Sequence, residues 1–278
     1  MTTYNRPRAL AWVLAALSKQ TRPADQIVIA DDGSGKETGD LIKVWREFYI
    51  AHRPQTQLLH AWQPDDGFRA ARARNQAVDL ARQEGNPDVL VFLDGDCVVP
   101  KDFIKNHLTL LAKGKMVAGG RGLLTEAFTQ SLEKVPPSSS EESIQEALRL
   151  FGAPYWLWLT RRCDRYLSMA SNVGSFWNRL RDLRGLDDSL VRTCNLSVWK
   201  DDYDAVNGFN ESFVGWGLED TDLAVRLIKR GVRVRTGRFA TNVFHLWHPE
   251  RSRRHFVRNA DLLRVSRQLQ DVSSERSH

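Results

Sequence analysis

The first hundred residues alternate between helix-like and strand-like stretches. Residues 8–20 and 70–85 place apolar side chains at helical spacing, whereas residues 26–34 form a short β-branched run that ends in acids and a turn. Residues 88–93, D-V-L-V-F-L, have the length and apolar content of a buried parallel strand. Because strands and helices alternate, the sequence predicts an α/β fold with a parallel sheet and right-handed crossover connections.

Composition excludes several classes of protein. The 278 residues are 42% hydrophobic, which is enough to bury a core, and they contain no stretch of about 18 uncharged apolar residues. The chain also has no charged start followed by an apolar segment. We therefore expect neither a membrane-spanning helix nor a secretory signal, and we expect the protein to be cytoplasmic. The three cysteines, Cys97, Cys163 and Cys194, show no C-x-x-C spacing, which argues against a disulfide framework or a zinc knuckle.

The net charge is positive. Lysine and arginine (40) outnumber aspartate and glutamate (34) by six, which permits nucleic acid, an anionic membrane or a phosphorylated substrate as partner. Much of the excess lies in residues 251–268, and a basic run of this kind is typical of a solvated helix. No recognised nucleic-acid-binding motif accompanies it, so we expect no nucleic-acid partner.

Residues 121–190 break the regular alternation. They include V-P-P-S-S-S-E-E-S at 135–143 and an aromatic patch, F-G-A-P-Y-W-L-W-L, at 151–159. We expect an irregular and partly mobile excursion here. The aromatic patch fits either an ordinary core or an exposed surface for a lipid-linked partner, and the sequence leaves both open.

Two carboxylates, Asp94 and Asp96, follow the apolar strand that ends at residue 93. Open α/β sheets bind ligands just beyond the carboxyl ends of such strands. Residues two positions apart on an extended chain point the same way, so both acids can approach one cation or one sugar hydroxyl. The sequence therefore predicts a binding site at this strand end.

The sequence G-W-G-L-E-D at 215–220 is a second strong signal. Its two glycines leave Trp216 displayed, and Glu219 and Asp220 open a helix. Acids in a first helical turn also stabilise the helix dipole, but this does not account for the flexible aromatic lead-in. A carboxylate beside an exposed indole suits a general base acting on a hydroxyl that packs against the ring.

Two histidines follow a strand-like run in F-H-L-W-H at 244–248. His245 and His248 could complete a carboxylate-based metal site, since imidazole with carboxylate oxygens suits Mn²⁺ or another divalent ion. A lone histidine would more often be structural. Two within four residues, after two acidic motifs, favour the metal site.

Two further stretches are weak signals by themselves. Asp31 and Asp32 in A-D-D-G-S could accept a hydrogen bond from a base N–H or a ribose hydroxyl, or could simply form a turn. Arg69 and Arg74 lie at a loop-to-helix junction, where guanidinium groups can neutralise a diphosphate.

The order of these stretches resembles that of the family 2 glycosyltransferases of the GT-A fold. The resemblance rests on T-T-Y-N-R-P at 2–7, A-D-D-G-S at 30–34, D-D-G-F-R and A-R-N at 65–75, D-G-D at 94–96, C-N-L-S at 194–197, G-W-G-L-E-D at 215–220 and F-H-L-W-H at 244–248. The carboxyl-terminal part is similar to a galactosyltransferase-type segment with a G-W-G-x-E-D motif. It implies a Rossmann-like, mostly parallel central sheet flanked by helices.

The resemblance also implies a division of the chain. Residues 1–120 would form the nucleotide-sugar-binding half, and residues 121–250 the acceptor-binding and catalytic half of the same domain. Residues 251–278 would form a basic helical tail.

Site roles follow from the matching motifs. Asp220 would be the catalytic base, with Glu219 hydrogen-bonding the acceptor or donor sugar. Asp96 of the D-x-D motif would hold Mn²⁺ or Mg²⁺ with His245, His248 being the reserve ligand. The implied donor-binding residues are Thr2, Tyr4, Asp32, Arg69, Arg74, Asp94, Asn195 and Trp216.

The implied function is that of an inverting hexosyl- or N-acetylhexosaminyltransferase. It would transfer a sugar from a nucleotide-sugar, most simply a UDP-sugar, to a glycan or lipid-linked saccharide in bacterial surface polysaccharide or lipopolysaccharide biosynthesis. The aromatic patch and the basic tail would touch the anionic inner membrane face. Two alternatives stay open: a haloacid-dehalogenase-type phosphatase that uses Asp94 and Asp96, and a non-catalytic saccharide-binding relative.

One departure from the family concerns the first strand. Met1 directly precedes T-T-Y-N, where members of the family have an apolar strand of about five residues. The resemblance implies that this central strand is missing, which would expose two neighbouring strand edges. We expect the upstream reading frame to encode a segment rich in valine and isoleucine.

Overall fold

The computed structural model describes residues 1–164, 179–250 and 252–268. The elements of its first part are β1 (Thr2–Thr3), α1 (Pro7–Ser18), β2 (Gln26–Asp31), α2 (Lys36–His52), β3 (Gln57–Trp62), α3 (Ala70–Glu84), β4 (Val89–Leu93), β5 (Cys97–Val98), α4 (Phe103–Leu110) and β6 (Lys115–Ala118). Those of the second part are β7 (Arg121–Leu123), α5 (Glu126–Lys134), α6 (Glu141–Leu148), α7 (Pro154–Leu159), β8 (Asn195–Trp199), α8 (Lys200–Ala205), α9 (Glu219–Lys229), β9 (Arg233–Thr236), β10 (Val243–His245) and α10 (Phe256–Gln268).

Helix α1 shows how the sequence forms the core. Pro7 lies in its first turn, where the fixed φ of proline suits a helix and its missing N–H is not needed. Every residue from Ala9 to Ser18 is buried, so this helix is covered on all sides. Its indole, on Trp12, donates a hydrogen bond of 3.1 Å to the backbone oxygen of Leu132, which ties α1 to α5.

Strand β1 lies between β2 and β4. Strands β1, β2 and β3 are parallel, and a parallel bridge between Thr2 and Asp94 places β1 beside β4 as well. Strand β4 is the edge strand of a four-stranded sheet with the order β4-β8-β6-β9. The carboxyl ends of β1 and β4 therefore lie side by side, and Thr2 lies next to Asp94 of the D-G-D motif.

Most strand pairings are parallel, as expected, and strand β8 is an exception, since it runs antiparallel to both β4 and β6. Its first residue, Asn195, pairs with Leu93 at the carboxyl end of β4. Strand β8 therefore starts at the edge of the sheet where β4 ends and runs in the opposite direction.

A small sheet of order β5-β10-β7 lies next to the D-G-D motif. Strand β10 is antiparallel to β5, with His245 opposite Cys97. The backbone N–H of Leu246 also donates to the oxygen of Asp96 at 2.9 Å. This pairing brings a histidine from near the end of the chain beside residues 94–96.

The first strand comprises only Thr2 and Thr3. The amino group of Met1 donates to the Val28 oxygen at 2.8 Å, and the Met1 oxygen accepts from the Ala30 N–H at 2.7 Å. Beyond Met1 a groove of about 630 Å³ lies between β2 and β4 and is lined largely by apolar side chains. Burial, the largest effect, together with the charge of Arg74, lowers the pKa of the Met1 amino group to about 5.

Residues 121–164 are more regular than expected. They contain β7 and helices α5, α6 and α7, and the Ser140 hydroxyl caps α6 by accepting from the Ser143 N–H. A serine-rich run is typical of a loop, but here it also supplies a helix cap. The part of this expectation that concerns residues 165–178 lies outside the described residues.

The aromatic patch divides between core and surface. Phe151 and Leu157 are buried in the core cluster, whereas Tyr155 (50% exposed), Trp156 (61%) and Trp158 (42%) face outward. The patch is therefore core at Phe151 and Leu157 and exposed surface at its other aromatic side chains.

Helix α10 is docked against the molecule. The Ser266 hydroxyl donates to the buried Asp222 carboxylate at 2.5 Å, and the Lys229 amine donates to the Ser266 oxygen at 2.6 Å. Leu263 packs with Phe213 and Val225. This helix lies within the predicted basic tail, of which residue 251 and residues 269–278 lie outside the described residues, and one face of it is packed rather than solvated. Across the described ranges, every helix is too short or too polar to cross a bilayer.

Candidate active site

A cavity of about 340 Å³ opens where β1 and β4 end and the 215–218 loop begins. Most of the residues singled out in the sequence line it, although they come from six separate segments. Those lining residues are Thr2, Tyr4, Asp32, Arg74, Asp94, Asp96, Trp216, Glu219, Asp220 and His248. The D-x-D acids and the acids of G-W-G-L-E-D therefore face one space.

Arg74 connects the two halves of this cavity. Its side chain is buried, and its guanidinium contacts Asp94 at 3.3 Å and Glu219 at 3.2 Å. Thr2 donates to the same Asp94 oxygen at 2.8 Å. One cation from α3 thus holds a carboxylate at the end of β4 and another at the start of α9.

Burial and neighbouring charges shift the pKa values of Asp94 and Glu219. Burial opposes ionisation of Asp94, but the Arg74 charge and the Thr2 hydroxyl outweigh it and hold the pKa of Asp94 below its usual range. Burial, reinforced by the neighbouring charge of Asp220, raises the pKa of Glu219 despite Arg74. Asp94 is therefore held ionised, whereas Glu219 takes up a proton more readily.

Asp32 lies on the far wall of the cavity. Its carboxylate accepts from the Gln63 amide at 2.6 Å and from the Arg69 backbone N–H at 2.9 Å. The Arg69 side chain turns instead to Asp66, at 2.7 Å, and does not line the cavity. This corrects the expectation that the Arg69 guanidinium faces the donor, because the loop gives it a neighbouring acid as partner.

Asp96 has two imidazoles nearby. Its oxygens lie 3.6 Å from His245 Nε2 and 3.7 Å from His248 Nε2, and Arg6 contacts it at 2.7 Å. Ligand atoms of Asp96, Cys97 and His245 all lie within 4.8 Å of one another. His245 does not line the cavity but lies immediately behind Asp96.

These residues fit a divalent cation. Burial lowers the pKa of His245, so its imidazole is neutral and has a lone pair to offer. Burial raises the pKa of the Cys97 thiol well above its usual value, so this thiol stays protonated and is a poor ligand. Asp96, His245 and His248 then supply the oxygen and nitrogen donors that suit Mn²⁺.

The loop before α9 has an unusual backbone. Gly215, Gly217 and Leu218 have φ values of +75°, +105° and +76°, a conformation that favours glycine. It exposes Trp216 at the cavity and starts α9 so that Asp220 lies in the first helical turn. The indole stacks on Phe256 with ring centroids 6.5 Å apart.

Asn195 does not reach the cavity, which corrects the expectation of a donor contact. Its amide donates to the Gly120 oxygen at 2.8 Å and to the Thr241 oxygen, and its own oxygen bonds to His107 at 2.8 Å. The side chain is fully buried. It joins β8 to the turns before β7 and β10, which is a structural role.

Further residues that the sequence did not single out also line the cavity. Among them are Arg6, Arg121, Arg192 and Phe256. Arg6 could have been found, because it stands inside T-T-Y-N-R-P beside two assigned residues. The other three belong to no motif in the chain, and only the fold brings them here.

Comparison with known proteins agrees with this geometry. A model of glycosyl transferase family 2 matches residues 1–150, and a model described as the N-terminal domain of galactosyltransferase matches residues 186–249. The two matches together include every motif that contributes to the cavity. They confirm the resemblance inferred from those motifs and leave the phosphatase alternative without support.

Similar curated proteins include a glucosyltransferase and a synthase. Validoxylamine A glucosyltransferase of Streptomyces hygroscopicus subsp. limoneus is 28% identical over 256 residues, which cover 85% of this chain and 48% of that protein. Hyaluronan synthase of Pasteurella multocida is 24% identical over 237 residues, covering 83% of this chain and 22% of that protein. The chain thus spans about half, or less, of the length of these relatives.

Solved structures share the fold. The mannosyltransferase PcManGT from Pyrobaculum calidifontis, in complex with GDP-Man and Mn²⁺, has a TM-score of 0.58 at 14% identity, covering 98% of this chain and 62% of that one. S. aureus TarS 1-349 in complex with UDP-GlcNAc has a TM-score of 0.57 at 12% identity, covering 95% and 64%. These neighbours confirm the GT-A fold. Because the first family model covers 150 of the 278 residues, the chain belongs to glycosyl transferase family 2.

Proposed function

We propose that this protein is an inverting, metal-dependent glycosyltransferase that uses a UDP-sugar. Its acceptor would be a glycan or a lipid-linked saccharide of a bacterial surface polysaccharide or lipopolysaccharide, and the sugar a hexose or N-acetylhexosamine. The observation that carries the proposal is that Asp96 and Asp220, far apart in the chain, open onto one cavity of about 340 Å³. One side can hold the donor while the other acts on the acceptor.

The donor side combines hydrogen-bonding groups with positive charge. Asp32, Thr2 and Tyr4 would hold the nucleoside, since carboxylate and hydroxyl groups can bond a base N–H and ribose hydroxyls. Arg74 and Arg6 would face the diphosphate. Asp96, His245 and His248 would hold Mn²⁺ or Mg²⁺, which when bound neutralises charge on the diphosphate. PcManGT with GDP-Man and Mn²⁺, and TarS with UDP-GlcNAc, support a donor of this class.

The acceptor side supplies the base. The acceptor hydroxyl has a pKa far above 7, so the Asp220 carboxylate would take its proton as the oxygen attacks the anomeric carbon. The bond between that carbon and the diphosphate oxygen breaks, and its electron pair leaves with the nucleoside diphosphate. Attack from the opposite face inverts the anomeric centre. Trp216 would pack on a sugar face, and Glu219, held by Arg74, would hydrogen-bond a sugar hydroxyl.

The Asp220→Asn variant tests the proposal with a panel of UDP-sugars and Mn²⁺. One donor is expected to raise the melting temperature of both proteins, while turnover in the variant falls about 100-fold or more because the base is lost. Asp201→Asn is the matched control, since Asp201 is an exposed acid in the first turn of α8. Failure of every UDP-sugar to bind or turn over would refute the proposal, and unchanged turnover in Asp220→Asn would remove that residue from the mechanism.

Location and membrane contact form part of the same proposal. The protein would be cytoplasmic and touch the inner membrane face through Trp156 and Trp158, which lie exposed on α7, with Arg161 and Arg162 nearby and exposed. Binding to vesicles that contain anionic lipid should exceed binding to neutral vesicles and weaken with salt. A Trp156→Ser/Trp158→Ser double variant should bind less, whereas a Trp62→Ser control, on exposed Trp62 in β3, should not. Equal binding to both vesicle types would count against the contact.

A further inference from the structure

The loop that carries Trp216 into the cavity needs support from outside itself. Leu218 has a φ of +76°, a left-handed conformation that is disfavoured for a residue with a side chain. Such conformations persist only where the surrounding structure holds them. Leu218 immediately precedes Glu219 and Asp220, so the path of this loop sets where both carboxylates point.

Asn259 in helix α10 provides this support. Its side chain is fully buried, and its amide nitrogen donates to the Val214 oxygen at 3.2 Å and to the Gly217 oxygen at 3.0 Å. Both partners are carbonyl oxygens, so the amide nitrogen must face them. One side chain thereby holds the loop on either side of Trp216.

The residues that precede Asn259 pack on the same loop. Phe256 stacks on Trp216, and the Arg253 guanidinium lies 5.6 Å from the centre of the indole ring. A Cβ atom on Gly215 would lie 2.6 Å from the ring of His255, which shows how closely the two segments approach. The loop and the start of α10 therefore form one packed unit.

Helix α10 itself is anchored to the helix that follows the loop. Ser266 bonds to Asp222 and Lys229 bonds to the Ser266 and Arg267 oxygens, which fastens α10 along α9. Asn259 thus reaches the loop from a fixed position. The donor-side residues Thr2 and Asp94 belong to other elements, β1 and the end of β4.

We propose that Asn259 is a positioning residue for the transfer reaction. It holds residues 214–218 so that Trp216 and Asp220 face the acceptor side of the cavity. The inference rests on the proposed function for its catalytic consequence, but the holding of the loop can be measured without any substrate. Because the donor side is built from other elements, loss of Asn259 should impair transfer far more than nucleotide binding.

The Asn259→Ala variant of the full chain tests this proposal. The matched control is Asn106→Ala, because Asn106 is also buried and its amide donates to one backbone oxygen, that of Ala240, at 2.7 Å. For Asn259→Ala, kcat with the donor found in the UDP-sugar panel should fall about tenfold or more, since small misplacements of reacting groups are costly. The Kd for UDP with Mn²⁺ should change by less than about twofold. Asn106→Ala should lose stability while kcat stays within about twofold.

Hydrogen exchange measured by mass spectrometry gives a readout that is independent of activity. Each protein is held the same number of degrees below its own melting temperature, so that differences in global stability are matched. Exchange across residues 214–222 should be faster in Asn259→Ala than in the wild type and in Asn106→Ala. If Asn259→Ala does not fold, Asn259→Ser, whose hydroxyl can bond one of the two carbonyls, is measured in the same way.

The outcomes separate the two proposals. Equal kcat and equal exchange in the two variants would overturn the role of Asn259 even if the enzyme is active. A wild type that neither binds UDP nor turns over any UDP-sugar would overturn the proposed function. In that case, faster exchange at residues 214–222 in Asn259→Ala would still establish that Asn259 holds the loop.

Discussion

At the scale of single residues, the site depends on one buried cation. Arg74 bridges Asp94 from the N-terminal part of the chain and Glu219 from the C-terminal part, and its guanidinium lies 5.3 Å from the centre of the Phe209 ring. Buried ion pairs add little net stability compared with apolar packing, but removing one partner leaves the others uncompensated. Arg74 therefore matters both for the shape of the site and for its charge.

Replacing Arg74 by alanine should destabilise the fold by about 3 kcal/mol, because two largely buried carboxylates lose their cation. The measurement is urea unfolding at neutral pH. Arg82→Ala is the control, since Arg82 pairs with Asp79 and Asp204 where the side chains are about a third exposed or more, and such pairs contribute about 1 kcal/mol or less. Equal losses in the two variants would contradict the assignment of Arg74 as a buried bridge.

At the scale of elements, strand β1 is so short that it contributes only two residues to the sheet. It pairs with β2 and bridges to β4, but only Thr2 and Thr3 form the strand, and the groove beyond Met1 lies between two strand edges. The Met1 amino group is buried at the end of this groove and donates to the Val28 oxygen. A charged ammonium is poorly tolerated there, which is the physical reason for its low pKa.

The Met1 amino group should make stability depend on pH. In the folded chain its pKa is about 5, against 8.0 for the ordinary group, so between these values the unfolded chain binds more protons. The free energy of unfolding should therefore rise from pH 5.5 to pH 8 and be lost as the pH falls. A variant with about five valine and isoleucine residues added before Met1 should unfold about 3 °C higher and show a smaller pH dependence. Unfolding curves at both pH values measure this, and an identical slope in the two proteins would contradict it.

At the scale of the whole molecule, the two halves share one sheet. Strand β8 lies between β4 and β6, so a strand from the second half separates two strands of the first. Core side chains from both halves, such as Phe92 and Leu196, also belong to one cluster. The site at the carboxyl ends of the strands can form only when both halves are present.

Residues 1–120 expressed alone should therefore fail to fold cooperatively. Without β8, the facing edges of β4 and β6 and the apolar side chains of their cluster are exposed. Circular dichroism with urea titration should show a broad, noncooperative transition, whereas the full chain should unfold cooperatively. A sharp transition in the fragment would indicate that the first half is an independent domain.

Local features of the sequence were enough to predict most of the candidate site. The helical spacing in α1 and α3 and the apolar run of β4 are visible in the residues themselves, since they follow from the geometry of a single element. The acids after β4 and before α9 stand at element ends, where parallel sheets collect their ligands, so their convergence could be expected. Arg69 and Asn195 were misplaced because the partner of a side chain, Asp66 or His107, is not encoded in the spacing of a motif.

The sequence by itself determined the α/β class and indicated most of the acids, one histidine and the indole that line the cavity. Only the tertiary structure decided the direction of β8, the arrival of Arg121, Arg192 and Phe256 at the cavity, and the docking of α10 onto the loop at residues 214–218. The reason is physical. Periodicity and capping act between residues a few positions apart, whereas contacts such as that of Asn259 with Gly217 join residues 42 positions apart and form only when the whole chain packs.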